Sequence, residues 1–375
     1  MREKIRLLSF SLFDSGETIL CALVVSTFFP LYITKHIDVK LYSLLYSFSF
    51  FISFIFSLIL GKIADEKALR KHLFGLFGFL ASLTVLFLFL FYEIPFIALL
   101  SFLLLLIFHQ QAIVFYNSLL VGFEKKGFTS GVGVAFGYMG SAFTLIFLTN
   151  SLKEPQIYIY VAIIFTLLLI PPILFLKNPK EKTHISLKEI VKDKSFLFFL
   201  ISLLSLTEVA NTLVAMMGVY LREVYNLENT EIYEIIGLSA IGGVLGGILW
   251  GFLTDKLGVN RIFPLGFFIW SIFILLLYIT PKNLIIPLGF LAGISLSHLW
   301  TTGRVFLIKN FPQNTVSVRM SFLSLSERIA SSIGLGLWSL FLLITDNNFK
   351  LSALLLITLP VAGAIIYFLR FLKWK

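Results

Sequence analysis

Apolar runs of about 20 residues, separated by short polar or charged turns, recur along the whole chain. They fall near 7–33, 41–61, 73–92, 95–121, 129–150, 157–176, 196–221, 232–254, 262–280, 284–308, 320–344 and 351–369. Each is long enough to cross the roughly 30 Å apolar core of a bilayer as a helix. The pattern predicts an all-α membrane protein with twelve transmembrane helices. One stretch breaks the alternation: residues 177–194 carry nine charges in eighteen positions and divide the runs six and six. The chain thus reads as an amino-terminal six-helix bundle (1–176), a linker (177–194) and a carboxy-terminal six-helix bundle (195–375). Within the linker, Ser186 followed by Glu189 has the form of a helix cap and predicts a short amphipathic helix at the membrane surface.

Composition agrees with burial in lipid: 58% of the residues are hydrophobic, 13% are charged, and the mean hydropathy is +0.96. The net charge of +10 raises the question of nucleic acid, but its distribution supplies another cause. Loops on the side of the termini, counted with the run end that holds Arg304, carry 23 Lys and Arg residues and those on the other side carry 6, with Arg328 inside a run. Basic loops stay in the cytoplasm, so both termini are expected there, in a multi-pass protein of the cell membrane, with no nucleic-acid partner. Cys21 is the single cysteine; this excludes a disulfide framework, no cysteine-based metal site is expected, and Cys21 reads as a small buried hydrophobe. The first run is too long, and carries Asp14 and Glu17, for a cleavable signal peptide.

The two halves repeat. Gly61-Lys-Ile-Ala-Asp65, followed by Arg70, returns 190 residues later as Gly251-Phe-Leu-Thr-Asp255, followed by Arg261. Small residues precede both at four-residue spacing: Ser49, Ser53 and Ser57 in one, Gly243 and Gly247 in the other. Such rows let helices approach closely where lipid offers no hydrophobic drive between them. Asp14-Ser-Gly-Glu17-Thr18 in the first run also parallels Glu208-Val-Ala-Asn211-Thr212 in the seventh.

Gly-x-x-x-Asp with a basic cluster after helix 2, repeated after helix 8, resembles the signature loop of the major facilitator superfamily. With the twelve runs and the central linker, the resemblance covers the whole chain. It implies two pseudo-symmetric six-helix bundles that alternate access around a central cavity lined mainly by helices 1, 4, 7 and 10. It also implies a gating role, through salt bridges, for Gly61, Asp65, Arg70, Gly251, Asp255 and Arg261. Phe13-Asp14, Phe115-Tyr116-Asn117, Ser130-Gly131-Val132-Gly133 and Ser326-Glu327-Arg328 further resemble the vacuole-effluxer-like branch.

Ionisable residues at membrane depth are candidate site residues by default. Asp14 and Glu17 share one face of helix 1, as Glu208 and Asn211 do on helix 7. On helices that line the cavity in the family, these are candidate proton carriers, the alternative being a structural hydrogen-bond cluster. His109, Gln110 and Gln111 on helix 4 and His298 and Arg304 on helix 10 complete the set. The histidines are candidate relays or plain hydrogen-bonding groups. Arg304 is a ligand for a substrate carboxylate or a snorkelling residue at the helix end. Glu327 and Arg328 read as a structural ion-pair element, and the rows Gly133–Gly137 and Gly243–Gly247 as packing surfaces.

The expectation is a monomeric transporter of a small polar solute, with an amino acid or related zwitterion or cation favoured and protons as a candidate coupling ion. Its other partner is the lipid bilayer. The alternative solute class is drugs or organic cations, and the alternative outside transport is a nutrient sensor. No metalloprotease, phosphate-loop or dinucleotide motif is present, so neither an enzyme nor a cofactor or metal is expected.

Overall fold

A computed structural model of the protein describes residues 2–144, 153–179 and 186–371, with side chains throughout except at 229, 230, 233 and 325–332. Among these residues lie twelve long helices and no strand. The first half holds α1 (Arg2–Ile33), α2 (Val39–Lys67), α3 (Arg70–Leu90), α4 (Pro95–Leu119), α5 (Lys126–Phe143) and α6 (Gln156–Phe175). The second holds α7 (Lys194–Tyr225), α8 (Asn229–Leu257), α9 (Val259–Ile279), α10 (Ile285–Asn310), α11 (Val316–Ile344) and α12 (Phe349–Phe371). Ten are long and apolar enough to cross a membrane. The fifth expected run extended to residue 150, and 145–152 lie outside the described residues.

Local chemistry sets many of the ends. The Asp38 side chain accepts from the Lys40 N–H at the start of α2, and that of Asp193 from the Phe196 N–H at the start of α7. Each satisfies a donor that the first helical turn leaves open. Gly258 closes α8 at φ 89°, a conformation that costs a side-chain-bearing residue far more than glycine. The linker does form a short helix, Leu187–Lys192, but the Ser186 side chain makes no capping bond to it. Inside α1 the backbone widens into i→i+5 turns from Cys21 to Phe28.

The packing has an internal twofold. In the first half α1 packs on α5 and α6, α3 on α4 and α6, and α2 on α4. In the second half α7 packs on α11 and α12, α9 on α10 and α12, and α8 on α10. Each contact returns with six added to both helix numbers. The contacts between halves obey the same rule: α2 on α11 matches α8 on α5, and α4 on α11 matches α10 on α5. Large apolar side chains face outward, with Phe96 and Leu343 both 77% exposed. Water would penalise such a surface over most of a molecule, whereas lipid does not.

Hydrogen bonds tie together the turns at one end of the bundle. Arg6 donates to the Gly122 carbonyl, Arg70 to that of Gln313, and Arg370 to the Ser195 hydroxyl. These bonds lie at the ends of α1, α3, α4, α7, α11 and α12, on the face referred to below as the terminal face.

Candidate functional site

On the terminal face the two repeated aspartates do the same thing by the same geometry. Asp65, at the end of α2, accepts from the backbone N–H groups of Ser317 and Val318 at 2.9 and 3.3 Å, at the start of α11. Asp255, at the end of α8, accepts from those of Gly127 and Phe128 at 2.9 and 2.7 Å, at the start of α5. The offset of 190 residues thus relates not only the aspartates but also the two pairs of donors. A carboxylate at a helix amino terminus meets unsatisfied N–H groups and the positive end of the helix dipole. Each aspartate therefore fastens one half to the other.

The basic partners differ. Arg70 Nε donates to Asp65 Oδ1 at 2.7 Å in a buried pair, and Arg70 Nη2 donates to the Gln313 carbonyl at 2.6 Å. Asp255 is met instead by Lys309 Nζ at 3.5 Å, in a pair open to solvent. Arg261, read from sequence as the partner of Asp255, lies exposed and forms no ion pair with it. Adding 190 to Arg70 gives Asn260 rather than Arg261, and one helical residue turns a side chain by about 100°.

Backbones meet closely beneath these contacts. Gly61 lies against the Ser317 backbone of α11, where a Cβ would stand 3.2 Å from its carbonyl oxygen. Gly251 lies against Gly127 and Gly131 of α5, and a Cβ on Gly131 would fall 2.0 Å from the Gly247 carbonyl oxygen. The rows read as packing surfaces divide their work. Gly133 and Gly137 receive Asp14 and Thr18 of α1, while Gly243 receives the Tyr138 ring and Gly247 abuts α5.

Above this closed face lies a cavity of about 470 Å3, lined from α1, α2, α4, α5, α7, α10 and α11. Asp14, Glu17, Gln110, Asn211 and Arg304 stand on its wall. Its floor is built on Arg304. The guanidinium donates to Asp14 Oδ2 at 3.1 Å, to Asn117 Oδ1 at 2.9 Å, and to Ser130 Oγ and carbonyl at 2.6 and 2.8 Å. Phe10, 5.5 Å from the guanidinium, lies below it and stacks on Tyr116. One side chain from the second half thus holds three helices of the first.

This alters several readings from the sequence. Arg304 is not turned to lipid, and four of its five N–H donors go to protein acceptors rather than to a solute carboxylate. Glu208, expected beside Asp14 and Glu17, is absent from the cavity wall. It is buried, and α7 presents its carboxylate to α11, where a Cβ on Gly334 would fall 2.8 Å from Oε2. The wall from α7 is Leu203, Thr207 and Asn211. Gln111 also points away: its amide donates to Ser53 of α2 and its carbonyl accepts from Ser57. His298 is fully buried, hydrogen-bonds the Ile262 carbonyl at 2.9 Å, and packs edge-on against Trp250. It ties α10 to α8 and α9. The side chains of Glu327 and Arg328 lie outside those described.

His109 is buried behind the wall, with Nε2 3.5 Å from Glu17 Oε1 and 3.7 Å from Cys21 Sγ. Cys21, read as a core hydrophobe, is half-buried and lines the cavity. Its spacing of four from Glu17 was a readable signal that both share one helix face. Sequence reasoning also passed over Lys309 as the partner of Asp255, and over the Arg319–Asp193 pair at 2.8 Å that joins α11 to the start of α7.

The description Major Facilitator Superfamily matches residues 8–246 and 198–373. A protein of Aquifex aeolicus (strain VF5), described as an uncharacterized protein, is 64% identical over 366 residues, covering 98% of this chain and 97% of the relative. Among solved structures, the Escherichia coli fucose:proton symporter FucP (N162A) superposes with a TM-score of 0.80 at 14% identity, covering 98% of each chain. A bacterial homologue of the iron transporter ferroportin, in its outward-facing state, gives 0.78 at 16%, covering 100% of this chain and 99% of that one. The twelve-helix twofold, the interlocked repeat loops and the family match agree: this chain belongs to the Major Facilitator Superfamily, an integral multi-pass membrane transporter rather than an enzyme.

Proposed function

We propose that this transporter moves a small cationic or zwitterionic solute by alternating access, with both termini in the cytoplasm and the cavity open to the outside in the state described. The observation that carries the reading is the Arg304 floor. Its bonds to Asp14, Asn117 and Ser130 cross from one half to the other directly beneath the cavity. Releasing them, together with the Asp65 and Asp255 contacts, would open the same cavity to the opposite side without dismantling either half. Two rigid bundles rocking about a fixed site require a floor of this kind.

The solute class follows from the wall. Its described charged groups are Asp14, Glu17 and Arg304, and Arg304 is engaged with Asp14. With two carboxylates to one guanidinium, the wall favours a cation or the ammonium of a zwitterion. Trp300, Tyr46 and Tyr138 on the same wall suit an organic cation as the second reading. The fold itself does not choose, since its neighbours include a fucose symporter and a homologue of an iron transporter. The bundles are taken as 1–176 and 195–375, and protons as the coupling ion through Glu17.

The test is flux of amino acids and organic cations into proteoliposomes holding the purified protein. Solute counterflow is expected in the wild type, and Glu17→Gln should lose pH-gradient-driven uptake while keeping counterflow. Absence of any solute flux would overturn the transport reading, and equal gradient-driven uptake by Glu17→Gln would overturn the coupling role.

A further inference from the structure

We propose that Glu17, Cys21 and His109 form a three-ligand site for a divalent transition-metal ion of the Zn2+, Co2+ or Fe2+ type, open to the cavity at a fourth position. Glu17 and Cys21 stand one turn apart on α1, at the point where its turns begin to widen, and His109 faces them from α4. The three donor atoms are Glu17 Oε1, Cys21 Sγ and His109 Nε2. They lie 3.3 Å apart from oxygen to sulfur, 3.7 Å from sulfur to nitrogen and 3.5 Å from nitrogen to oxygen.

Those separations match the edges of a coordination tetrahedron. Metal bonds of about 2.3 Å to sulfur and about 2.0–2.1 Å to nitrogen and oxygen require S···N and S···O edges of about 3.5 Å and an N···O edge near 3.3 Å. An ion would therefore need almost no movement of the side chains. A carboxylate, a thiolate and a neutral imidazole sum to two negative charges, so the loaded site is neutral at a depth where net charge is costly. The mixed oxygen, nitrogen and sulfur set selects borderline transition metals over Mg2+ and Ca2+, which prefer oxygen alone. Glu17 and Cys21 line the cavity, so the fourth position is reached from it. Three protein ligands with one open position describe a site that exchanges its occupant rather than a closed structural one.

The site borders the proposed solute path. Naming the ion as the transported cation rests on that transport reading, whereas binding does not. The test is titration of the full-length detergent-purified protein with Co2+, Zn2+ and Mg2+. Because Cys21 is the only cysteine, a near-ultraviolet thiolate-to-cobalt charge-transfer band can arise from no other residue. The wild type is expected to take up one Co2+ per chain with that band, to release it to Zn2+, and to ignore Mg2+. Cys21→Ser should abolish the band. His109→Gln and Glu17→Gln should each weaken Zn2+ binding by at least the roughly 10–100-fold that loss of an outer-shell partner causes. A wild type that shows no cobalt–thiolate band, or His109→Gln and Glu17→Gln variants that bind Zn2+ as tightly as the wild type, would overturn the site. Lack of solute flux in proteoliposomes would count against transport and leave this binding result standing.

Discussion

The Asp65 and Asp255 contacts are the same device built twice, in different surroundings. Both carboxylates sit on the first N–H groups of a helix in the opposite half, at positions related by 190 residues. Asp65 is fully buried, and Arg70 beside it is 2% exposed. Asp255 is only partly covered, and Lys309 reaches it from water at 3.5 Å. A dry, short ion pair that also bonds the Gln313 carbonyl has few alternatives when broken. A wet one exchanges protein contacts for solvent at small cost. The second contact leans more on its helix packing, where Gly127 and Gly131 meet Gly247 and Gly251. The fold thus fastens one side of the terminal face by electrostatics in a dry site, and the other by backbone proximity.

The comparison breaks first at Asp65. Replacing it with Ala strands the buried Arg70 and the N–H groups of Ser317 and Val318, a type of loss that costs about 3–5 kcal/mol. The ratio of closed to open terminal face should fall more than a hundredfold. Labelling of Cys21, the one cysteine on the cavity wall, by an impermeant maleimide added from the opposite side of oriented proteoliposomes should fall accordingly. Labelling equal to wild type would mean that this pair does not hold the face.

Gly131→Leu tests the other fastening. Its side chain would enter the space of the Gly247 carbonyl, so α5 and α8 must separate, at a cost of roughly 1–3 kcal/mol or more. The same labelling assay should show the ratio of closed to open face falling about fivefold or more. A loss smaller than that of Asp255→Asn would mean that this side is held by its aspartate rather than by backbone proximity.

Asp255→Asn removes the charge and leaves a single amide oxygen for two N–H donors. Loss of a charged hydrogen bond costs about 1.5–3 kcal/mol, and partial solvation of this site places the effect at the low end. Transport rate should change several-fold with solute affinity nearly constant, as measured by initial flux against equilibrium binding. The smallest effect belongs to Lys309→Ala, because exposed ion pairs contribute about 0–1 kcal/mol and are screened by salt. Its flux should match wild type at high ionic strength, and a large defect there would show that the second contact is not the weak one.

The number of helices, their membrane character, the repeat and the place of both aspartates at helix ends were set by the sequence alone. Helix length, turn chemistry and a spaced glycine–aspartate pattern are local properties that the chain carries openly. Which way each polar side chain faces was decided only in three dimensions. In a soluble helix an apolar stripe marks the buried face, but lipid and protein interior are equally apolar, so no stripe separates cavity from neighbour. Asp14, Glu17, Gln110, Asn211 and Arg304 came to the cavity wall, while Glu208, Gln111 and His298 turned to α11, α2 and α9. Nothing in the spacing of those residues tells the two sets apart. The approach of Cys21 and Glu17 to His109 likewise joins residues 88 positions apart. It depends on how α1 and α4 rotate about their axes, and that rotation is fixed by packing across the whole bundle rather than by either helix.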